Sequence, residues 1–522
     1  MQNNNLSNIN TNKVNMDRIS NQQSTEKKIN RPSDDPVIAI RALRLRSSVT
    51  EVTQYYSKNI PDAQSWLDVT EDALVNLSEV LKNLISRCNK GSNTYLETED
   101  RQIILEEMKA LAEEIYATGD ADYAGRYVFT GFRTDTSLSF KEETNQLFDI
   151  WEQLGVDSID DMTKVFTDDL LNLNSENFMD DDMDITEQGI DAITYHRIRL
   201  AYNDCVGDGT ETPSITFKKQ KMNGDTPEIG TDGKPVYEDK TYEATTMHSY
   251  EDPYSYMKDH PDEVIFVPET GELLLGDNVY SELMSLKDDV STTANEGEIR
   301  VNYQKSHWEK GDLRPQHYFA CTSDPGTEDE IKYNENYLTD DVPNRQNIEY
   351  DVGFNQRIRV NSTADECFKH GIGREVDDIM TAMQDVLELE KIQTNLSKLV
   401  AENEGNEEVI ARLEQQLDAV GKALTLAKDK EQKLFENGIS AFQKYMDDAN
   451  LCVTECGTRS SKLALVENRM QTQKTTFETL KSTNEDIDIA EVTINMKSAT
   501  VIYEAALLAA GKVMQTSLLN FI

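Results

Sequence analysis

The sequence contains no apolar run long enough to cross a membrane. Its densest apolar run, Ala505 to Ala510, has six residues, whereas a membrane-spanning helix needs about 20. The first fifteen residues are rich in asparagine and lack the apolar segment of a secretory signal peptide. We therefore expect no membrane partner, and any export should use a route other than the Sec pathway.

Positive charge is also scarce. The chain has 52 Lys and Arg residues against 96 Asp and Glu residues, and its net charge is −44. Such a chain repels phosphate backbones, so we expect no nucleic-acid partner. The acidic run Asp180–Asp182 is typical of a solvated surface. It does not fit an EF-hand loop, because Glu187 stands where that loop requires glycine.

Motifs for catalysis and cofactor binding are missing. The six cysteines form neither a CxxC pair nor a zinc-like spacing, so we expect reduced, buried thiols. None of the six histidines begins an HExxH motif. The segment His370–Gly373 does not continue as a dinucleotide-binding loop, because Val376 replaces the third glycine. The sequence accordingly predicts no enzyme, no cofactor and no metal site.

What the sequence does contain is a C-terminal helix with apolar residues on two faces. One row alternates spacings of three and four residues, as in a coiled coil. A second row repeats every seven residues and lies roughly opposite the first. A helix that is apolar on two faces must be covered on both. The first row is Ile489, Val492, Met496, Ala499, Tyr503, Ala506, Ala510 and Val513, and the second is Ile487, Ile494, Val501 and Leu508.

These two rows predict an assembly surface, because one chain cannot easily cover both faces. The N-terminal stretch, residues 1–29, reads as a weaker helix whose many asparagines give poor helicity. We expect both terminal helices to be poorly ordered in the free monomer and to fold against equivalent helices of neighbouring copies. The predicted interface residues are Leu6, Ile9, Met16, Ile19, Ile487, Ile489, Val492, Ile494, Met496, Val501, Leu508, Val513, Leu518 and Phe521.

The chain as a whole reads as an α+β protein in which helical ends enclose a mostly-β middle. We predict terminal coiled-coil segments at 1–35 and 482–522, a helical bundle from 36–131 and 372–481, and an inserted mostly-β domain at 132–371. A helix-start motif follows the first helix: Asn30, Arg31, Pro32, Ser33, Asp34, Asp35 and Pro36. In this motif Asp35 suits the N-cap and Pro36 the first helical position.

Local patterns give further expectations. Pro61 should break or kink the helix near Asn59. Residues 127–129 read as a short strand, 264–267 and 273–275 as a hairpin, and 348–360 as one half-buried strand. Asp232-Gly233 reads as a hairpin turn, and 277–295 as a helix. Ser482 and Glu485 form a capping-box pattern that would open the final helix.

Several motifs together resemble the flagellin-like hook-associated proteins of the FlgL type. The resemblance is carried by residues 30–36 (NRPSDDP), 41–46 (RALRLR), 62–67 (DAQSWL), 99–101 (EDR), 125–131 (GRYVFTG), 488–491 (DIAE) and 517–522 (SLLNFI). It covers roughly residues 1–132 and 372–522. The GRYVFTG segment favours the protein of the hook–filament junction over filament flagellin.

The resemblance implies a structural role outside the cell. It implies export by the flagellar type III pathway with an export chaperone, and incorporation as a ring of about eleven copies. Its partners would be other copies of itself, another hook-associated protein and flagellin. Family members usually begin several residues further upstream, so the resemblance implies an earlier start, with Met1 expected to be an internal methionine.

Two alternatives remain open at this point. Filament flagellin would share the helical ends, and copy number in isolated flagella separates it from a junction protein. A helical pore-forming toxin would also bury apolar helices around a β element. The toxin would require a segment that spans a bilayer, and the sequence offers none.

Overall fold

The computed structural model describes residues 2–92, 96–180, 183–207, 212–224, 226–230, 236–286, 298–339 and 346–519. The structure confirms the predicted α+β class, with long helices from both ends of the chain around a mostly-β middle. The helices are α1 (Gln2–Thr25), α2 (Pro36–Gln54), α3 (Ile60–Gly91), α4 (Thr98–Gly119), α5 (Pro253–Asp259), α6 (Asp277–Ser285), α7 (Asn336–Thr339), α8 (Ala364–Cys367), α9 (Gly371–Glu402), α10 (Glu407–Glu485) and α11 (Ile489–Leu519).

The strands form two larger sheets and three two-stranded ones. One sheet has the order β10-β11-β12-β5-β4, the other β15-β14-β3-β13-β6-β9, and the small sheets pair β1 with β2, β7 with β8 and β16 with β17. The strands are β1 (Asp122–Tyr123), β2 (Arg126–Tyr127), β3 (Thr144–Leu154), β4 (Ile159–Phe166), β5 (Asp191–Arg199), β6 (Ser214–Gln220), β7 (Met222–Asn223), β8 (Thr226–Pro227), β9 (Tyr237–Glu243), β10 (Thr245–Thr246), β11 (Val264–Val267), β12 (Glu272–Leu275), β13 (Ile299–Trp308), β14 (Ala320–Ser323), β15 (Ile331–Tyr333), β16 (Glu349–Gly353) and β17 (Gln356–Arg359).

The chain divides into two compact units. Unit 1 comprises Met1–Ser65, Glu349–Arg359 and Thr458–Ile522, and unit 2 comprises Trp66–Ile348 and Val360–Gly457. Unit 1 therefore holds the two terminal helices and the β16–β17 hairpin. Unit 2 holds both larger sheets and the helices α4 to α9, while α3 and α10 each contribute residues to both units.

A π-helical segment, Tyr55–Asn59, joins α2 to α3 at the place where a break was expected. Pro61 has no N–H to donate, and its ring collides with the preceding turn of a regular α-helix. Widening the helix by one residue per turn accommodates such an interruption. The N–H of Ile60 accordingly bonds to the carbonyl of Tyr55, five residues earlier. The chain stays helical through Pro61 instead of breaking.

The core of unit 2 is built around aromatic side chains of the six-stranded sheet. Trp308 is fully buried on β13, stacks on Phe140 at 5.0 Å and meets the edge of Phe148 at 5.4 Å. Its indole N–H donates to the carbonyl of Gln146 at 2.8 Å. Because the indole is both packed and hydrogen-bonded, burying it leaves no polar group unsatisfied.

Buried arginines tie the helices of unit 2 to each other and to the five-stranded sheet. Arg197 on β5 donates to Asp160 on β4 at 2.9 Å and to Asp378 on α9 at 2.6 Å. Arg101 on α4 donates to Glu431 on α10 at 2.7 Å and to Glu390 on α9 at 3.1 Å. Such buried charges are tolerated only with their partners in place, so they fix which helix packs where.

The structure corrects several local expectations. The predicted single strand at 348–360 is the β16–β17 hairpin, which turns at Phe354 and Asn355. Asn355 takes a φ of 52°, which asparagine tolerates better than most residues, so the apolar alternation continues across a tight turn.

The predicted hairpin of β11 and β12 is confirmed. Only Tyr127 of the predicted strand 127–129 lies in a strand. The predicted turn Asp232-Gly233 and the predicted helix end near Asn295 lie outside the described residues.

Candidate assembly surface

The two terminal helices, α1 and α11, form an antiparallel pair within unit 1. A short β-bridge between Lys27 and Asp486 sets their register. The N–H of Lys28 donates to the carbonyl of Glu485 at 2.7 Å, and the N–H of Ile487 donates to that of Glu26 at 3.2 Å. Because this bridge leads directly into both helices, it determines which residues of α1 face which residues of α11.

A small apolar cluster joins the two helices. Ile19, Val492 and Ala499 are buried in it, with Met16, Ile487 and Met496 packed at its edge. The structure therefore brings together five of the predicted interface residues: Met16, Ile19, Ile487, Val492 and Met496. The α1 residues Met16 and Ile19 therefore cover one face of α11 from within the same chain.

Ile487, the first member of the predicted second row, precedes α11 and packs against the cluster with α1, so its predicted place on the opposite face is wrong. The other three members form an exposed apolar row on the opposite face of α11, which we define as Ile494, Val501 and Leu508. These side chains are 67%, 64% and 70% exposed. Their seven-residue spacing puts them on one line of the helix. Ile489 at the start of α11 and Leu6 on α1 are also exposed, and Ile9 is half-buried. Among the described residues of unit 1, none packs over this row closely enough to bury it.

Three of the predicted interface residues cannot be placed by their side chains. Val513 and Leu518 lie in α11 beyond Lys512, the last residue whose side chain the structure describes. Phe521 lies outside the described residues. Their proposed role rests on the sequence pattern alone.

In the helix-start motif, the consecutive carboxylates of Asp34 and Asp35 both accept hydrogen bonds from backbone N–H groups. Asp35 accepts hydrogen bonds from the N–H groups of Val37 at 2.9 Å and Ile38 at 3.1 Å, so it is the N-cap of α2 as predicted. Asp34 accepts from the N–H groups of Asn30 and Arg31. These backbone hydrogen bonds, with that of Arg31 first, lower the pKa of Asp34. The motif thus fixes the turn that leads into α2, with Pro36 at the first helical position.

An ion pair fastens the junction of α10 and α11 to α2. Glu485 is buried and accepts two hydrogen bonds from Arg46, both at 2.7 Å. The predicted capping box of Ser482 and Glu485 is therefore wrong, because Ser482 lies inside α10 and Glu485 pairs with Arg46. The N-cap role falls to Asp488, whose carboxylate accepts from the N–H of Ala490 at 2.9 Å.

Sequence reasoning missed a second exposed apolar group, Val37, Ile40 and Leu43 on α2. They are exposed and spaced by three residues, with Arg41 and Arg44 beside them. In the sequence these three residues form an apolar row that is offset from Ala39 and Ala42, which are buried in the structure.

Three further features of the described part of the chain concern metal binding, membrane crossing and the charge of buried histidines. No group of three or more His, Cys, Asp or Glu side chains there is arranged to hold a metal ion. No helix within the described ranges is long and apolar enough to cross a membrane. Burial lowers the pKa of His317 to about 4 and that of His370 to about 3, so both are neutral at physiological pH.

Comparison with known proteins first defines a class. Residues 1–134 match the family model for the bacterial flagellin N-terminal helical region. This range includes α1, the helix-start motif, α2, α3, α4 and the β1–β2 hairpin. The N-terminal quarter of the chain is thus similar to the corresponding region of flagellin-type proteins.

The particular relatives are hook-associated proteins. Flagellar hook-associated protein 3 of Escherichia coli K12 is 28% identical over 127 residues, covering 24% of this chain and 39% of the relative. Its counterpart in Salmonella typhimurium LT2 is 23% identical over 134 residues, covering 26% of this chain and 42% of the relative. The chain thus spans about two fifths of the length of the curated relatives it matches. The predicted resemblance to hook-associated proteins is confirmed over this region.

Solved structures also align with this chain. A putative flagellar hook-associated protein from Vibrio parahaemolyticus aligns over 87% of this chain and 99% of its own, with 12% identity and a TM-score of 0.33. The flagellar junction protein FlgL from Legionella pneumophila aligns over 82% and 100%, with 12% identity and a TM-score of 0.23.

Proposed function

We propose that this chain is a structural subunit of the bacterial flagellum that forms the hook–filament junction. The observation that carries the proposal is the exposed apolar row on α11, whose opposite face α1 covers. One helix of the chain therefore presents apolar surface that its own partner helix leaves open. The match of residues 1–134 to flagellin-type proteins, and the names of the curated relatives, support flagellar assembly as the use of that surface.

The partners follow from this role. Equivalent terminal helices of neighbouring copies would cover the row, in a ring of about eleven subunits. Another hook-associated protein would lie on one side of the ring and flagellin on the other. The chain would reach this place outside the cell by the flagellar export pathway, with an export chaperone and without a Sec signal. The proposed division is coiled-coil segments at 1–35 and 482–522, a bundle at 36–131 and 372–481, and an outer domain at 132–371.

In this role the chain would be no enzyme. Its contribution would be mechanical, because association of the terminal helices must hold subunits together under load. Burying a side chain such as Val, Ile or Leu contributes about 1.5–3 kcal/mol. A row of three such residues on each subunit would then contribute about 4.5–9 kcal/mol to association, which offsets part of the entropy lost on ordering the helices.

The first test replaces the row with small polar residues. The triple variant Ile494→Ser, Val501→Ser, Leu508→Ser should be produced and exported normally but should not be retained in flagella. Motility should fall accordingly. Lys497→Ser is the matched control, because it alters an exposed charged position on the same helix. Normal incorporation of the triple variant would overturn the proposed use of the row.

The second test separates the junction role from filament flagellin. Cells that lack this chain should keep their hooks and release flagellin monomers into the medium. Isolated wild-type flagella should contain about a dozen copies per filament, as one ring requires. Thousands of copies per filament would instead identify the chain as filament flagellin.

A further inference from the structure

A polar pocket of unit 2 lies where the end of β4 and the start of β5 meet the helices α9 and α10. Its volume is about 830 Å³, and all of its lining residues belong to unit 2. Natural ligand sites have volumes of about 300–1,000 Å³. The residues that decide its chemistry are tyrosines, aspartates and a lysine: Tyr250, Tyr254, Asp191, Asp252, Asp385 and Lys164. The proposed flagellar assembly uses none of them.

Tyr250 stands at the rim of this pocket and is 81% exposed, yet the turn that holds it is fixed. Its ring stacks in parallel on the ring of His248, with 5.2 Å between the centroids. A hydrogen bond of 2.5 Å joins His248 to the carboxylate of Glu269, and the N–H of His248 donates to the carboxylate of Glu251 at 2.8 Å. Because the ring is already held in place, a ligand that packs on it costs little extra conformational entropy.

Lys164 supplies a half-buried ammonium to the pocket. It lies over the ring of Tyr254, 5.0 Å from the centroid, and it forms no ion pair with a carboxylate among the described residues. Burial lowers the pKa of Lys164. The hydroxyl of Tyr254 is already engaged, because it donates to Glu272 at 3.0 Å. The ammonium therefore has donor capacity left for an oxygen of a ligand.

The carboxylates of the pocket wall have acceptor capacity left as well. One oxygen of Asp191 accepts from the following backbone N–H at 2.9 Å, and one oxygen of Asp252 accepts from the N–H of Ser255 at 3.3 Å. Their second oxygens accept no hydrogen bond from the described residues. Asp385 is different, because the ammonium of Lys430 lies 3.4 Å from it. The wall thus offers acceptors beside the donor on Lys164.

These groups select the charge of the ligand. An anionic ligand would be repelled by the carboxylates of the wall and by a chain whose net charge is −44. A cationic ligand would meet the ammonium of Lys164, with Lys430 near enough to repel it further. An apolar ligand would leave the polar groups of the pocket without water or partners. A neutral ligand with many hydroxyl groups meets none of these costs, because each hydroxyl both donates and accepts.

We propose that this pocket binds a neutral saccharide, with one sugar ring packed on Tyr250. The C–H face of a pyranose ring is apolar and matches the exposed tyrosine ring. Hydroxyl groups of the sugar would donate to Asp191 and Asp252 and accept from Lys164. The proposal does not depend on the flagellar role, because every residue it uses lies in unit 2 and none belongs to the exposed row of α11.

Saturation-transfer NMR on the full chain tests the proposal. The probes are neutral trisaccharides built from glucose, galactose, mannose or N-acetylglucosamine, each in excess over the protein. At least one of these trisaccharides should receive saturation, and most strongly at the ring protons that face Tyr250. Glucuronic acid and glucosamine are the charged comparisons. Saturation of a charged sugar alone, or of no sugar, would overturn the proposal.

Variants locate the binding in this pocket. Tyr250→Ala removes the exposed ring, and Lys164→Met removes the ammonium but keeps a stem over Tyr254. Each should weaken binding about tenfold. Phe132→Ala and Lys310→Met are matched controls at exposed positions of unit 2 that do not line the pocket, and they should bind as the wild type does. Because Tyr250 is exposed, its variant tests the site even if Lys164→Met fails to fold, and unchanged binding by Tyr250→Ala would overturn the proposal.

Discussion

The carboxyl group of Glu152 is buried inside unit 2 with one oxygen well paired and the other not. Its Oε1 accepts from the N–H of Ala201 at 2.7 Å and from the hydroxyl of Tyr303. Its Oε2 has no hydrogen-bond partner among the described residues. Burial raises the pKa of Glu152 from 4.5 to about 7. The folded state therefore holds this proton more tightly than the unfolded state does.

The sign of the pH dependence follows from that shift. The stabilising contribution is fully present below pH 4.5 and is lost as the pH rises through about 7. Between pH 5 and pH 8 the free energy of unfolding of unit 2 should fall by about 2–3 kcal/mol from this group. Glu152→Gln keeps the Oε1 acceptor and should remove that part of the slope.

Urea unfolding followed by tryptophan fluorescence measures this slope for unit 2 alone. All three tryptophans, Trp66, Trp151 and Trp308, lie in unit 2. Glu142→Gln, at an exposed position just before β3, is the matched control and should leave the slope unchanged. A Glu152→Gln variant with the wild-type slope would contradict the assignment.

Gly271, in the turn between β11 and β12, makes a second prediction at the residue scale. Its φ is +63°, and a Cβ there would lie 1.9 Å from the carbonyl oxygen of Tyr202. Gly271→Ala should lower the free energy of unfolding of unit 2 by more than about 2 kcal/mol, because backbone must move.

The control for Gly271 has the same kind of backbone angle without the obstruction. Gly326 has a φ of +77° and open space around the Cβ position. Gly326→Ala should cost about 1 kcal/mol for the left-handed conformation alone. Equal losses at the two positions would show that the approach to Tyr202 is unimportant.

At the scale of elements, the ion pair of Arg46 and Glu485 holds α2 to the junction of α10 and α11. Arg46→Ala would leave the buried carboxylate of Glu485 with Lys27, at 3.8 Å, as its remaining ion-pair partner among the described residues. We expect a loss of about 1–3 kcal/mol in local stability, measured as faster amide hydrogen exchange at residues 482–490. Arg44→Ala, at an exposed position of the same helix, should have no such effect.

A double variant tests whether the uncompensated charge is the cause. Glu485→Gln should restore much of the protection lost in Arg46→Ala, because the buried group is then neutral. If the double variant exchanges as fast as Arg46→Ala alone, packing of the arginine stem matters more than charge.

The pair of terminal helices should be the least stable part of the chain in the free monomer. Among the described side chains α1 buries only Ile19, whereas α9 buries ten apolar residues along its length. Few buried contacts mean low local stability. Amide hydrogens of α1 and α11 should therefore exchange much faster than those of α9, and slow down in assembled flagella. Equal protection in the free monomer would count against folding on assembly.

Elements with a regular apolar period could be predicted from the sequence, and those set by distant partners could not. The seven-residue spacing of Ile494, Val501 and Leu508 was enough to predict a second apolar face on α11. The N-cap of α2 at Asp35 could also be predicted from the sequence, because capping depends on neighbouring residues. The hairpin at Asn355 was missed because a two-residue turn preserves the alternation of a single strand.

At the scale of the whole molecule, the α+β class was predictable because helical periods fill both ends of the chain. The order of strands in the two larger sheets was not, since it depends on pairings between distant segments. The candidate surface was predictable only in part for the same reason. Arg46 and Glu485 pair across 439 positions, and no local pattern marks either of them.

The antiparallel pairing of α1 and α11 has a practical consequence for anyone who labels this protein. The bridge between Lys27 and Asp486 lies where α1 ends and α11 begins, so the outer ends of both helices point toward the same pole of the pair. A tag fused at either terminus would crowd that pole, and moving it from one terminus to the other would bring no relief. Fluorophores and affinity handles belong instead on surface turns of unit 2, such as the one at Gly326.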